Sequence, residues 1–140
     1  MSAQTKTKNK PGKKSKTAAN IVWFEIPADD IARAKKFYGT LFGWKINALP
    51  VSPVADYQHI DTGGADASPD GGMMKRMHST QTITNYINVP SVTRFMVKVE
   101  KLGGRICKPK TAVPQSGYFA ICRDTENNEF ALWEIDRNAK

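Results

Sequence analysis

Apolar and polar positions alternate from Ile21 to Ile26, the pattern of a strand, and the spacing then changes. Ile31, Ala34, Phe37, Tyr38 and Leu41 fall on one face of a helix predicted over about residues 30–42. Asp29 or Asp30 supplies a cap for its orphan amides, and Gly43 a stop. About sixty residues later the order recurs. Ile87-Asn88-Val89 runs to Pro90, Ser91 is the cap candidate, and Val92, Phe95, Met96, Val99 and Leu102 form a stripe ended by Gly103-Gly104. A duplicated half-domain of about sixty residues explains both copies. The alternative is chance likeness, since many α+β proteins enter amphipathic helices from strands.

The remaining pattern completes each copy. Trp44-Lys45-Ile46 opens a strand, Tyr57–Asp61 is another, and the loop Thr62–Gly72 feeds a strand over Met73–Met77. The second half predicts strand 83–89, helix 91–102, a short strand Arg105-Ile106-Cys107, and strands 117–123 and 129–135 around the turn Asp124–Asn128. Each half therefore reads βαβββ, with antiparallel pairing among its last strands. Lys108–Tyr118 is expected to be a long connection, either a lid or a surface crossover. Its two prolines leave Gly63–Gly72 as the better candidate for a mobile cover.

A chain of 140 residues can bury one core but not two, so two half-domains must share it. No apolar run has the length of a membrane span and no apolar signal core occurs at the N-terminus, so a soluble, cytoplasmic protein is expected. Cys107 and Cys122 lack CxxC spacing and companion histidines, and are expected to be small core or near-core residues. The net charge of +8 is concentrated in one place. Residues 1–20 hold Lys6, Lys8, Lys10, Lys13, Lys14 and Lys16 with no acid, so the remainder carries only +2. This tail has no apolar periodicity and is expected to be disordered. It acts either as a solubilising extension or as a weak electrostatic contact for nucleic acid or anionic surfaces, without aromatics for base stacking.

Several segments together give a resemblance: Val22-Trp23-Phe24-Glu25-Ile26-Pro27, Arg33–Tyr38, Leu41-Phe42-Gly43-Trp44, Leu102-Gly103-Gly104, and Gly117–Ala120 with Asp124–Phe130. Over residues 21–136 the chain resembles the vicinal oxygen chelate superfamily, the glyoxalase, bleomycin-resistance and extradiol-dioxygenase group, and most of all its single-domain glyoxalase-like proteins. The resemblance implies an α+β fold in which two βαβββ modules, about 21–78 and 83–136, form a cupped mixed sheet around a small-molecule cavity, often in a homodimer. Metal-dependent members take ligands from the first and last strands of each module, and their divalent ion stabilises an enolate or related anion. Carried over by motif, those positions fall on Trp23, near Thr84, on Met74, Lys75 or Arg76, and on Glu134. Only Glu134 is a ligand-type residue. No cofactor is therefore expected, and a divalent metal is disfavoured. A substitute site built from His59, His78 and Glu134 would need both imidazoles to point into the cup; surface or strand positions are the plainer expectation.

Strand alternation sends Val22, Phe24 and Ile26 under the helix and Trp23 and Glu25 to the opposite face. The same parity groups Thr84, Tyr86 and Asn88, and groups Phe130, Leu132 and Glu134. Converging, these faces would make a cup for a small hydrophobic or aromatic metabolite, with Tyr118 at its border. Trp23, Tyr86, Phe130 and Leu132 would supply apolar area, and Thr84 and Asn88 hydrogen bonds. Glu25 and Glu134 are the candidate catalytic carboxylates, since burial and mutual proximity raise a carboxyl pKa. Against this, both carboxylates serve equally well as structural groups, and Trp23 as core packing. Three function classes follow: a metal-independent small-molecule binder, a lyase or isomerase with a carboxylate proton shuttle or an unrecognised metal site, and an interaction protein working through its basic tail.

Overall fold

The computed structural model describes residues 18–65 and 68–140, so nearly all of the lysine-rich tail lies outside the described residues. The elements are β1 (Ile21–Ala28), α1 (Ile31–Phe42), β2 (Lys45–Ala48), β3 (Gln58–Asp61) and β4 (Asp70–Lys75), then β5 (Thr84–Asn88), α2 (Val92–Lys101), β6 (Arg105–Val113), β7 (Gly117–Arg123) and β8 (Glu129–Ile135). The βαβββ order occurs twice, and the chain is α+β. It forms two compact units: residues 21–86 with 129–131, and residues 18–20, 87–128 and 132–140.

In the first unit the strands run β2-β3-β4-β1, with β5 beside β1. The β2–β3 and β3–β4 pairs are antiparallel, whereas β1 and β4 are parallel, which makes the sheet mixed. Asp30 caps α1 by accepting the Arg33 N–H at 3.0 Å, and Gly43, at φ 74°, ends it by donating to the Gly39 carbonyl. That left-handed cap is a conformation glycine adopts without steric cost. Ile26, Ala28, Ile46, Ile60 and Met73 form the core, with Phe24, Ile31, Ala34, Tyr38 and Trp44 packed on it. Ile60 and Met73 are wholly buried, so truncating either to Ala would cost about 2–5 kcal/mol. The helical stripe is narrower than its spacing indicates. Phe37 and Leu41 are 59% and 57% exposed, because Tyr38 stacks on Trp44 at 5.4 Å and that aromatic packing holds the core-facing side of α1.

β4 begins at Asp70, inside the stretch expected to be loop, because its two glycines are strand residues chosen for close approach. A Cβ on Gly71 would lie 2.6 Å from the Phe24 ring, and one on Gly72 would lie 1.8 Å from the Tyr57 hydroxyl.

In the second unit β6 and β7 pair antiparallel, and α2 packs against both. Ser91 caps α2 through the Arg94 N–H, and Gly103, at φ 95°, follows its end. Val92 is the buried member of the stripe, whereas Leu102 is 78% exposed. The expected crossover at Lys108–Tyr118 is instead mostly strand. β6 continues to Val113 through register shifts at Ile106/Lys108 and Lys108/Thr111, and reaches β7 by a short turn. Pro109 is accommodated because it lies at an irregularity of the terminal strand, where a missing N–H is tolerated. Cys122 is buried as expected, but Cys107, within the same irregular stretch, is exposed.

Candidate functional site

The face of β1 turned away from α1 carries Trp23 and Glu25, and a hydrogen-bonded chain forms there within the first unit. The Trp23 indole N–H donates to the Tyr57 hydroxyl at 3.0 Å. The Tyr57 O–H in turn donates to Glu25 Oε2 at 2.7 Å, and the Tyr86 O–H donates to Glu25 Oε1 at 2.7 Å. Each carboxylate oxygen of Glu25 thus holds one phenol. Tyr57 and Tyr86 are 7% and 8% exposed.

Backbone pairing explains why these groups meet. Glu25 on β1 and His59 on β3 are both in register with Gly72 on β4, so one row crosses three strands. Gly72 has no side chain, and the vacated space takes the Tyr57 phenol. His59 stacks on Trp23 with ring centroids 5.7 Å apart, and its Nε2 lies 3.2 Å from Asp70 Oδ2. The Thr62 N–H donates to the other Asp70 oxygen at 3.2 Å. Next along β5, Thr84 is 2% exposed and donates its hydroxyl proton to Glu129 Oε2.

Burial pushes the Glu25 carboxyl above its ordinary pKa; the two phenol hydrogen bonds oppose this, and the nearby Glu129 charge adds to it. Burial and the Glu25 charge likewise push the Tyr57 and Tyr86 hydroxyls upward, so both phenols remain proton donors. The face therefore combines aromatic side chains with a carboxylate whose proton affinity burial raises, chemistry of the kind a general base requires.

Of the expected site residues, Trp23, Glu25, Thr84 and Tyr86 meet in the first unit. Asn88, Tyr118, Leu132 and Glu134 belong to the second unit. There the Asn88 N–H donates to the Asn20 carbonyl, and Lys110 Nζ sits 4.3 Å above the Tyr118 ring. Glu134 is a correction: its Oε1 accepts the Val92 N–H at 2.9 Å, which places the carboxylate at the N-terminus of α2, where an anion is favoured. The cause is one of phase. Thr84 holds Glu129, so the side of β8 shared with Thr84 carries Glu129 and Ala131, and Phe130, Leu132 and Glu134 alternate to the other side. Tyr57 and His59, the latter weighed only for a substitute metal site, were not anticipated in this cluster, nor were Asp70 and Glu129. The signal for the first two lay in Tyr57-Gln58-His59-Ile60, where core-facing Ile60 sends Tyr57 and His59 the other way.

The positions corresponding to metal ligands do not fit a divalent ion. Trp23 offers only an N–H donor and Thr84 spends its hydroxyl on Glu129. Met74 is a buried thioether, Lys75 and Arg76 are cations with Arg76 held to Asp29 at 3.0 Å, and Glu134 is engaged at α2. His78 is exposed and bonded to Thr80. Among the described residues no three His, Cys, Asp or Glu side chains are grouped to hold a metal ion, and no helix is long and apolar enough to cross a membrane.

Comparison with known proteins agrees with this architecture. The bleomycin resistance protein-like N-terminal family matches residues 20–57, the segment carrying Trp23, Glu25 and Tyr57. A glyoxylase-like domain-containing protein of Didymella fabae is 32% identical over 120 residues, covering 80% of this chain and 91% of that protein. Among solved structures, a glyoxalase/bleomycin resistance protein/dioxygenase superfamily member from Vibrio splendidus 12B01 aligns with TM-score 0.59 at 11% identity, over 85% of this chain and all of its own. Methylmalonyl-CoA epimerase from Mycobacterium tuberculosis aligns with TM-score 0.55 at 10% identity, over 82% of this chain and 85% of its own. These two likenesses carry the fold, and the Didymella fabae relative carries the kinship: the chain belongs to the glyoxalase-like proteins of the vicinal oxygen chelate superfamily.

Proposed function

We propose that this protein binds a small hydrophobic or aromatic metabolite on the Trp23–Glu25–Tyr57–Tyr86 face without the divalent ion used by metal-dependent members of the superfamily. The observation that carries the reading is the closed chain from Trp23 through Tyr57 to Glu25 and Tyr86. It commits the Trp23 N–H and the Glu25 carboxylate to the buried phenols, so that the half-buried Trp23 face, rather than a set of ligating lone pairs, is what β1 offers a ligand. Trp23, which is half-buried, supplies the stacking face, the two buried phenols fix the Glu25 carboxylate, and that carboxylate orients a donor group on the ligand.

A second reading, lyase or isomerase chemistry, is favoured by one observation, the raised proton affinity of Glu25. In that reading Glu25 accepts a proton from a carbon next to a carbonyl, and returns it to a neighbouring atom to complete an isomerisation. Tyr57 and Tyr86, which remain protonated, hold the carboxylate in place before the first step and after the second, and between the two Glu25 carries the proton as a neutral acid.

Native mass spectrometry of gently purified full-length protein, before and after addition of Mn, Co, Ni, Zn and Fe(II), tests the proposal. The expected result is an organic adduct, or none, with no stoichiometric metal, and an adduct lost in Trp23→Ala. A stoichiometric, chelator-sensitive metal would overturn it.

A further inference from the structure

The Trp23 wall has a second edge that the binding reading does not use. His59 stacks on Trp23 at an interplanar angle of 26°, and its Nε2 meets Asp70 Oδ2 at 3.2 Å. Asp70 is itself held in place, with Oδ1 accepting the Thr62 N–H at 3.2 Å and the Thr62 hydroxyl at 3.4 Å. An ionised carboxylate only accepts hydrogen bonds. The tautomer that carries its proton on Nε2 sets it toward that carboxylate and leaves Nδ1 an acceptor.

His59 and Glu25 flank Gly72 in one row across three strands, so their backbones stand about two strand spacings, roughly 10 Å, apart. Trp23 and Tyr57 lie between them. The row thus presents a hydrogen-bond acceptor at each end, the imidazole Nδ1 and the carboxylate, with aromatic surface in the middle.

Resting on the proposed ligand face, we infer that His59, oriented by Asp70, is a specificity-determining residue that selects planar aromatic ligands bearing a hydrogen-bond donor, a phenolic hydroxyl or a ring N–H. The ring of the ligand stacks beside Trp23 and its donor meets Nδ1. A ligand of the same shape with the donor methylated loses that bond and leaves the acceptor desolvated.

The test uses p-cresol and 4-methylanisole, which differ by one O-methyl group, titrated into the full-length protein by NMR. The Trp23 indole N–H and the His59 ring nitrogens are the reporters. The expected result is that p-cresol binds about fivefold more tightly, the range of one neutral hydrogen bond, and shifts Nδ1 rather than Nε2. In His59→Phe, which keeps a ring beside Trp23, that preference falls to about one. Equal affinity in the wild-type protein, or an undiminished preference in His59→Phe, overturns the inference while leaving the ligand face standing. A neutral His59 found protonated on Nδ1 overturns it without any variant. If neither compound moves the Trp23 resonance, the face reading itself fails, and the inference with it.

Discussion

Gly72→Ala probes the whole cluster with one methyl group. A Cβ at this position would stand 1.8 Å from the Tyr57 hydroxyl oxygen, 2.2 Å from Cζ and 2.5 Å from Cε1, all far inside van der Waals contact. The phenol is 7% exposed, so it cannot tilt aside freely. Overpacking of this kind costs about 1–3 kcal/mol. Displacing the ring also breaks the Tyr57–Glu25 hydrogen bond, worth about 1.5–3 kcal/mol because the acceptor is charged. The sum, about 2.5–6 kcal/mol, would lower Tm by roughly 10–24 °C at about 4 °C per kcal/mol. Thermal denaturation measures the loss, and the Trp23 indole N–H resonance reports whether its acceptor has moved. A double variant separates the two causes, since with Tyr57→Ala already in place Gly72→Ala should cost well under 1 kcal/mol further. A Gly72→Ala protein with wild-type Tm and an unmoved Trp23 resonance would refute the reasoning.

Two further outcomes follow from the carboxylates. The Glu25 pKa is raised above its ordinary 4.5, so between that value and the folded-state value the folded protein holds a proton the unfolded chain has released. Stability contributed by this group is therefore present below about pH 4.5 and is lost as pH rises through the folded-state pKa. Measured against Glu25→Gln by urea denaturation, the wild-type protein should lose stability across that window, with groups common to both, such as Asp124, cancelling. A flat or rising difference would contradict the burial argument. Glu134→Gln should cost about 1 kcal/mol through the N-terminus of α2, shift the Val92 amide, and leave p-cresol binding unchanged. A lost ligand response with the Val92 amide unmoved would return Glu134 to the site.

Local signals were legible in the sequence. Asp30, Gly43 and Ser91 sit at helix ends for reasons of hydrogen bonding and φ that need no tertiary context. Strands β7 and β8 match their expected bounds because their turn, where Asp124 accepts the Glu126 and Asn128 amides, is also local. What was not legible depends on a neighbouring strand. Gly71 and Gly72 have the composition of a loop, and only the Phe24 and Tyr57 side chains opposite them show that they belong to a strand. The phase of β8 is a sharper case. One residue of offset exchanges the two faces of a strand, and no feature of Glu129–Glu134 alone says which carboxylate looks toward β5. The Thr84–Glu129 hydrogen bond decides it, from forty-five residues away.

The duplication also gives the site its chemistry. Trp23 and Thr84 are corresponding first-strand positions of the two copies, so Glu25 corresponds to Tyr86, two residues further along each strand. β1 and β5 are neighbours, and the equivalent side chains meet: the Tyr86 hydroxyl donates to Glu25. A repeat that kept like residues there, two carboxylates for example, would bring like charges together and favour a cation between them. This chain instead sets an acceptor against a donor, and the pair satisfies itself. The backbone juxtaposition that would set two carboxylates against each other if the copies were alike instead pairs an acceptor with a donor once they have diverged. Tyr86→Glu therefore removes a donor from Glu25 and sets a second carboxylate beside it, which should raise the Glu25 pKa further, a shift that the pH dependence of stability reads.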